Sequence, residues 1–323
     1  NAVLRRIAEN KSAGTLPDIP SEGGAEYLSI KYSHPEWLAS RIISERGYDF
    51  AEAFLACNNR PAPLTIQVNT LKISPEDYRR ALLRAGIDFE YDERLSGCFV
   101  LSGGNVAELP GFAEGLFYVQ DRAARTAAEI AAPEQGMTVL DACSAPGGKS
   151  FAAAIRMQGK GNILSCDIHE KKLKLISAGA ERLGIDIIKT AVMDARRRDA
   201  ALENSFDVVI ADVPCSGLGV IAKKPEIRGK TEAEISALPA IQRDILDNLS
   251  AYVKRDGVLL YSTCTVLRAE NEDVVNAFLA DDGEFAPEGF NVGGVSEPSG
   301  MHCFWPNVDG TDGFFAAKLR RIK

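Results

Sequence analysis

Histidine is nearly absent from this chain, with three among 323 residues. Imidazole-based metal sites and histidine-dependent triads are therefore poorly supplied. The seven cysteines (57, 98, 143, 166, 215, 264 and 303) are odd in number and show neither CxxC nor Cys/His spacing. That argues against a disulfide framework and structural zinc, favours a reducing, cytoplasmic setting, and leaves no metal site to name. Also missing is any apolar run near the roughly 20 residues a membrane span needs. No secretory signal opens the chain, so no membrane partner is expected. Positive charge is short: 37 Lys and Arg against 45 Asp and Glu give a net charge of −8, the wrong sign for a simple nucleic-acid binder. The chain opens on Asn1 rather than Met, which reads as a fragment of something longer.

What is present is an ordinary globular composition, 46% hydrophobic and 25% charged, long enough for two or three domains. Residues 1–60 read as helical: "NAVLRRIAEN" and "HPEWLASRIISERG" carry helical apolar spacing, with a Gly/Pro/Ser-rich linker over 12–24. Residues 61–118 read as a small α+β unit. "PLTIQVNTL", "CFVLSG" and "GLFYVQ" are strand-like, and "SPEDYRRALLRAG" is a capped helix. Over 119–323 strands alternate with helices: "TVLDAC", helix 149–157, "NILSCD", helix 170–183, "IIKTAV", "FDVVIADVP", helix 235–254, "GVLLYSTC", helix 270–280 and a closing "GFFAAKLRR". Near-continuous apolar strands with intervening helices predict a Rossmann-like α/β sheet covered on both faces, with ligands beyond its carboxyl edge.

"DACSAPGGKS" (141–150) follows the first strand of that sheet and opens its first helix. Adjacent glycines let a ligand approach the backbone and free helix-start N–H groups. The loop matches neither the P-loop nor GxGxxG. Asp167 ends the second strand roughly 20 residues beyond Gly148, where an acidic residue can take ribose hydroxyls. Asp194 ends the third, placed to meet the base of an adenosine. Three such features on successive strands, without phosphate-binding signals, favour S-adenosylmethionine.

"DVPCSGLG" (212–219) and "YSTCTVLRAENEDVV" (261–275) leave Cys215 and Cys264 at the ends of the fourth and fifth strands. One could be a nucleophile and the other its helper, or both could be core packing. For Cys143 and Cys166, packing is the expectation.

Together, "DACSAPGGKS", "DVPCSGLG" and "YSTCTVLRAENEDVV" resemble the Nol/Nop/Sun family of RNA cytosine-C5 methyltransferases. "YLSIKYSHPEWL" and "NAVLRRIA" resemble its bacterial Sun/Fmu branch, which methylates small-subunit ribosomal RNA. Cytosine C5 is a weak nucleophile, and covalent addition of a thiolate to C6 activates it. The resemblance implies Cys264 as nucleophile and Cys215 as the group that assists release. It implies Asp212 as acceptor for the exocyclic amine and a neighbour of the cofactor. The cofactor loop would comprise Cys143, Ser144, Ala145, Pro146, Gly147, Gly148 and Lys149, with Asp167 and Asp194 beyond it. "QDRAAR" (120–125) would help build the site, and 61–118 would guide RNA. Sun/Fmu enzymes carry a helical RNA-binding domain upstream, of which only the last helix is expected here.

"GLGVIAKKPEIRGK" directly follows Cys215, so Lys223, Lys224, Arg228 and Lys230 are expected to meet RNA phosphates, on a protein acting as a monomer. A DNA cytosine-C5 methyltransferase is the first rival; it would use the Pro-Cys thiol as nucleophile with a Glu-Asn-Val segment, which is absent. A non-catalytic ribosome-assembly factor is the second, and it would need neither thiol.

Overall fold

The computed structural model describes residues 2–15 and 23–323. Four helices come first: α1 (Ala2–Ala13), α2 (Ala25–Tyr32), α3 (Glu36–Arg46) and α4 (Tyr48–Cys57). Much of the expected linker, residues 16–22, lies outside the described residues. Helix α1 buries none of its residues. By contrast, α2 to α4 contribute Leu28, Leu38, Ile42, Phe54 and Leu55 to a core shared with Leu218, Ile221, Ile227, Val266 and Trp305. The helices thus pack on the segments that follow Cys215 and Cys264.

Next comes a four-stranded antiparallel sheet in the order β2-β3-β1-β4, made of β1 (Leu64–Val68), β2 (Phe89–Tyr91), β3 (Cys98–Leu101) and β4 (Phe117–Val119). Helix α5 (Pro75–Arg84) starts at a Ser74 cap with Pro75 in its first turn, where a missing N–H is harmless. Its Tyr78 and Leu82 meet Ile66, Phe99 and Phe117 of the sheet. Strand β2 escapes a sequence reading because three residues offer too little alternation.

The larger sheet begins after α6 (Arg122–Ala131). It contains β5 (Thr138–Asp141), β6 (Asn162–Asp167), β7 (Ile188–Val192), β8 (Phe206–Asp212) and β9 (Val253–Thr263), parallel and ordered β7-β6-β5-β8-β9. Helices α7 (Gly148–Arg156), α8 (Glu170–Leu183), α9 (Glu232–Ile235), α10 (Leu238–Ser250) and α11 (Glu272–Asp281) connect or follow these strands. Alternate residues of β8 enter opposite cores: Val208 and Ile210 face one, Val209 and Ala211 the other. This two-sided burial is why the strands read as continuous apolar runs.

The helix expected over 235–254 divides into α9 and α10, with Pro239 in the first turn of α10. A proline there lacks the N–H that would continue a helix from α9. The strand expected from Gly257 begins at Val253, through an irregularity in its pairing with β8 between Phe206 and Val208. The Gly-rich stretch resolves into β10 (Phe285–Pro287), β11 (Phe290–Val292), β12 (Val295–Glu297), β13 (Met301–Phe304) and the short α12 (Pro306–Asp309). Strand β14 (Phe314–Arg321) then pairs antiparallel with β9, β10 and β13. Among the described residues no helix is long and apolar enough to cross a membrane.

Asn69 joins the two sheets. In the fully buried Asn69, Nδ2 donates to Gly115 O at 3.0 Å and to Leu183 O, the last residue of α8, at 2.8 Å. Asn69→Ala should lower unfolding free energy by about 1–3 kcal/mol, the cost of stranding buried acceptors. Urea denaturation measures it; an unchanged midpoint would show that the pair of bonds is dispensable.

Candidate active site

Strand order reverses at β5, between β6 and β8, so the crevice lies at their carboxyl ends. There β8 and β9 run in register, with Asp212 opposite Ser262. The chain then leaves β8 as Val213-Pro214-Cys215 and β9 as Cys264. Two bonds hold the two exits together, Val213 N–H to Ser262 O (3.0 Å) and Gly219 N–H to Cys264 O (3.0 Å), and a third, Gly313 N–H to Gly219 O (2.8 Å), ties the first exit to the segment before β14. A Cβ at Gly219 would lie 1.9 Å from Gly313 O, so this approach requires glycine. The outcome is a thiol pair with Sγ atoms 3.3 Å apart.

The two thiols are unlike. The hydrogen-bonded contact with Cys215 holds the Cys264 thiol below its ordinary range; Lys149 and Lys224 favour its anion further, against burial and Asp212. Cys215 is pushed well up by that same bond, then by burial and by the Cys264 and Glu270 charges. Beside them Lys149 Nζ lies 2.7 Å from Asp212 Oδ2 and 4.8 Å from the Phe314 ring centroid. Ser262 Oγ donates to Asp212 Oδ1 at 2.8 Å. The expected trio of Cys264, Cys215 and Asp212 thus converges with Lys149, a cation only 8% exposed.

The glycine loop hangs on β6. Ser144 donates its N–H (2.7 Å) and its hydroxyl (3.0 Å) to Cys166 O. Cys143 follows, its thiol pushed up by burial and by the Asp212, Asp141 and Asp167 charges around it. Ala145-Pro146 is cis, and Gly147 has φ of 113°. A Cβ on Gly147 would strike Phe151 at 2.6 Å, and one on Gly148 would crowd Gln120 at 3.1 Å. Asp167 accepts the His169 N–H at 2.9 Å with one oxygen; the other has only Lys172, at 3.9 Å. Asp194, expected near the base of an adenosine, lies just beyond β7, where Arg196 from its own turn grips it with Nε and Nη2 at 3.0 and 2.9 Å.

The four cations expected at RNA phosphates are not four free charges. Lys223 lies between Asp312 at 2.7 Å and Asp121 at 3.4 Å. Arg228 donates to Asn58 O at 3.0 Å, and Lys230 donates to Ser216 O at 2.6 Å, bracing the Cys215 loop. Lys224 is exposed, and its side chain forms no hydrogen bond or ion pair with a described residue. Opposite charges and carbonyls arrive from distant segments, which a local run of basic residues does not reveal.

Sequence reasoning also passed over Asp141 and Glu270. Asp141 ends β5 fully buried, where burial raises its carboxyl to about 7 although Ser150 donates to it at 2.7 Å. It stands first in "DACSAPGGKS", and that position was the available signal. Glu270 is 1% exposed and accepts from Ser216 N–H at 2.9 Å and Gln242 Nε2 at 2.8 Å. Among charged neighbours at a helix start it reads as surface.

A family model described as 16S rRNA methyltransferase RsmB/F matches residues 128–320. The chain belongs to this family. A second model, the family's ferredoxin-like domain, matches residues 34–107. The chain is 35% identical to the "Probable ribosomal RNA small subunit methyltransferase B" of Bacillus subtilis, over 99% of this chain and 73% of the relative. It is 34% identical to the "Ribosomal RNA small subunit methyltransferase B" of Pasteurella multocida, over 90% of this chain and 65% of that protein. The chain therefore spans about two thirds to three quarters of these relatives. The crystal structure of PH0851 superposes with a TM-score of 0.87 at 33% identity, covering 95% of this chain and 70% of that one. Membership bears out the Rossmann-like methyltransferase fold and the S-adenosylmethionine cofactor expected for it.

Because Cys264 is the member of the pair that ionises first, iodoacetamide at neutral pH should alkylate it ahead of Cys215. Peptide mass spectrometry reads the order; equal rates or the reverse order would contradict the polarised pair.

Proposed function

We propose that the protein methylates C5 of a cytosine in small-subunit ribosomal RNA, with Cys264 as nucleophile and Cys215 assisting release. The observation that carries this reading is the pair of thiols 3.3 Å apart at the ends of two neighbouring, in-register strands. A cofactor-binding assembly factor would need neither thiol.

The residues present fit S-adenosylmethionine. Among the described residues, Gln120 Oε1 and Asp141 Oδ1 are buried acceptors without a hydrogen-bond partner at the glycine loop, and the Asp167 oxygen that faces the distant Lys172 suits a ribose hydroxyl. When bound, the cofactor supplies an electrophilic methyl group for C5.

The chain's own residues do the rest. The Cys264 thiolate adds to C6, forming a C–S bond, and the electron pair moves through C5 as N3 takes a proton. Asp212, held by Lys149 and Ser262, accepts from the exocyclic amine and steadies protonated N3. After methylation the C5 proton leaves to a base and its electron pair rebuilds the C5–C6 double bond as the C6–S bond breaks. Cys215 assists at that stage, handing its hydrogen bond back to the departing Cys264 sulfur. Lys224, exposed at the pocket mouth, meets phosphate. The four-stranded sheet within 61–118 guides the RNA.

Two variants separate the thiols. Cys264→Ala should abolish methyl transfer with cofactor affinity retained. Cys215→Ala should accumulate a covalent protein–RNA adduct, seen as a slow band on denaturing gels that RNase removes. An adduct in Cys264→Ala and none in Cys215→Ala would assign the nucleophile to Cys215, as in DNA enzymes. Separately, Asp167→Ala should weaken S-adenosylmethionine binding about ten- to hundredfold, the worth of charge-assisted ribose bonds; calorimetry giving an unchanged Kd would move the ribose elsewhere.

A further inference from the structure

Behind the thiol pair lies a closed polar network that the reaction scheme does not use. At its centre is Glu270, a carboxylate in a cavity wall with almost no solvent contact. Its Oε2 accepts from the Ser216 N–H, one residue beyond Cys215, and from Gln242 Nε2 of α10. Gln242 Nε2 also donates to Pro214 O at 3.0 Å, one residue before Cys215. The other carboxylate oxygen, Glu270 Oε1, has no hydrogen-bond partner among the described residues. Glu270 itself sits on the segment that follows Cys264, and its neighbour Asn271 bonds Thr263 Oγ1 at 2.6 Å and Thr265 O at 3.0 Å. Ser216 Oγ and Thr265 Oγ1 meet at 2.8 Å. Both residues flanking Cys215 and both residues flanking Cys264 are therefore tied to one dipeptide, Glu270-Asn271.

We propose that Glu270 is a positioning residue of the reaction, whose buried carboxylate locks the Cys215 loop against the Cys264 loop so that the two thiols act as an unlike pair. The proposal rests on the assignment of the two cysteines given above. A neutral side chain could satisfy the same donors, and burying an unpaired charge is costly. Retaining an anion here therefore points to an electrostatic use. The titratable groups facing Cys215 are Cys264, Glu270 and Tyr261, while Cys264 also faces Asp212, Lys149 and Lys224. Glu270 is thus the carboxylate beside Cys215, where it opposes a second thiolate; Lys149 and Lys224 lie beside Cys264 together with Asp212, and Lys230, the cation at the Cys215 loop, is committed to Ser216 O. That asymmetry keeps the shared hydrogen on Cys215, ready to be handed back to Cys264 when the adduct collapses.

Glu270→Gln removes the charge and retains an acceptor of the same shape. In otherwise unaltered protein it should leave KM for RNA unchanged, lower kcat and let the Cys264–RNA adduct accumulate. In a Cys264→Ala background, where Cys215 is read alone, it should speed iodoacetamide alkylation of Cys215 at pH 8 about threefold or more, since removing a like charge lets the thiol ionise. Glu270→Asp keeps the charge but shortens the reach, so adduct should accumulate while Cys215 alkylation stays at the parent rate. A folded Glu270→Gln protein with unaltered adduct level and alkylation rate would overturn the proposal. Failure of both variants to fold, judged by thermal melting, would overturn it too, because Glu270 would then serve the fold alone. Absence of adduct even in Cys215→Ala would instead strike the assignment of the cysteines, and the alkylation arm would still decide the electrostatic role of Glu270.

Discussion

Everything at this site depends on the parallel register of β8 and β9. With Asp212 opposite Ser262, the strands end within one residue of each other, and their exits must turn in the same direction. A slip of one residue would send Cys264 to the opposite face of the sheet. Register is safe here because alternate residues of both strands are committed to different cores, Val208 and Leu260 on one side, Val209 and Tyr261 on the other. Apolar packing well below the crevice therefore determines the separation of two sulfur atoms above it.

The pair shows how polarity can be generated without histidine. A free thiol is only about 3% ionised at neutral pH. Here the two thiols share a hydrogen bond, with Lys149 and Lys224 favouring the Cys264 anion and Glu270 opposing that of Cys215. Lys149 takes part in this from a position that is nearly dry, stabilised by Asp212 on one side and the face of Phe314 on the other. Such a cation is held in place whether or not a ligand is near, so the field it exerts needs no reorganisation.

Much of this arrangement was legible in the sequence, for identifiable reasons. The strands β5 to β8 and helix α8 announce themselves by apolar runs and by periodicity that tertiary contacts reinforce. Cys215 and Cys264 stand out because both follow such strands. Asp212 and Lys149 follow from motif context, and their mutual ion pair does not, since it joins different loops. The basic stretch after Cys215 misleads for the same reason: Asp121, Asp312, Asn58 and Ser216 reach Lys223, Arg228 and Lys230 from elsewhere in the chain. Pro239 did mark the break between α9 and α10 in plain sight. Glu270 had no such marker, for burial of a charged residue is invisible until the surrounding loops are placed.

The shared core of α2 to α4 has a further meaning. Leu218, Ile221 and Val266 lie on the very loops that carry the thiols, and they are buried by Leu28, Leu38 and Phe54. Those loops contain little regular structure of their own to hold them. Their rigidity is on loan from helices that precede both sheets in the chain. Opening of the helices would uncover the apolar side chains that fix both thiol loops, so the placement of the two sulfur atoms is tied to packing far from them in the chain.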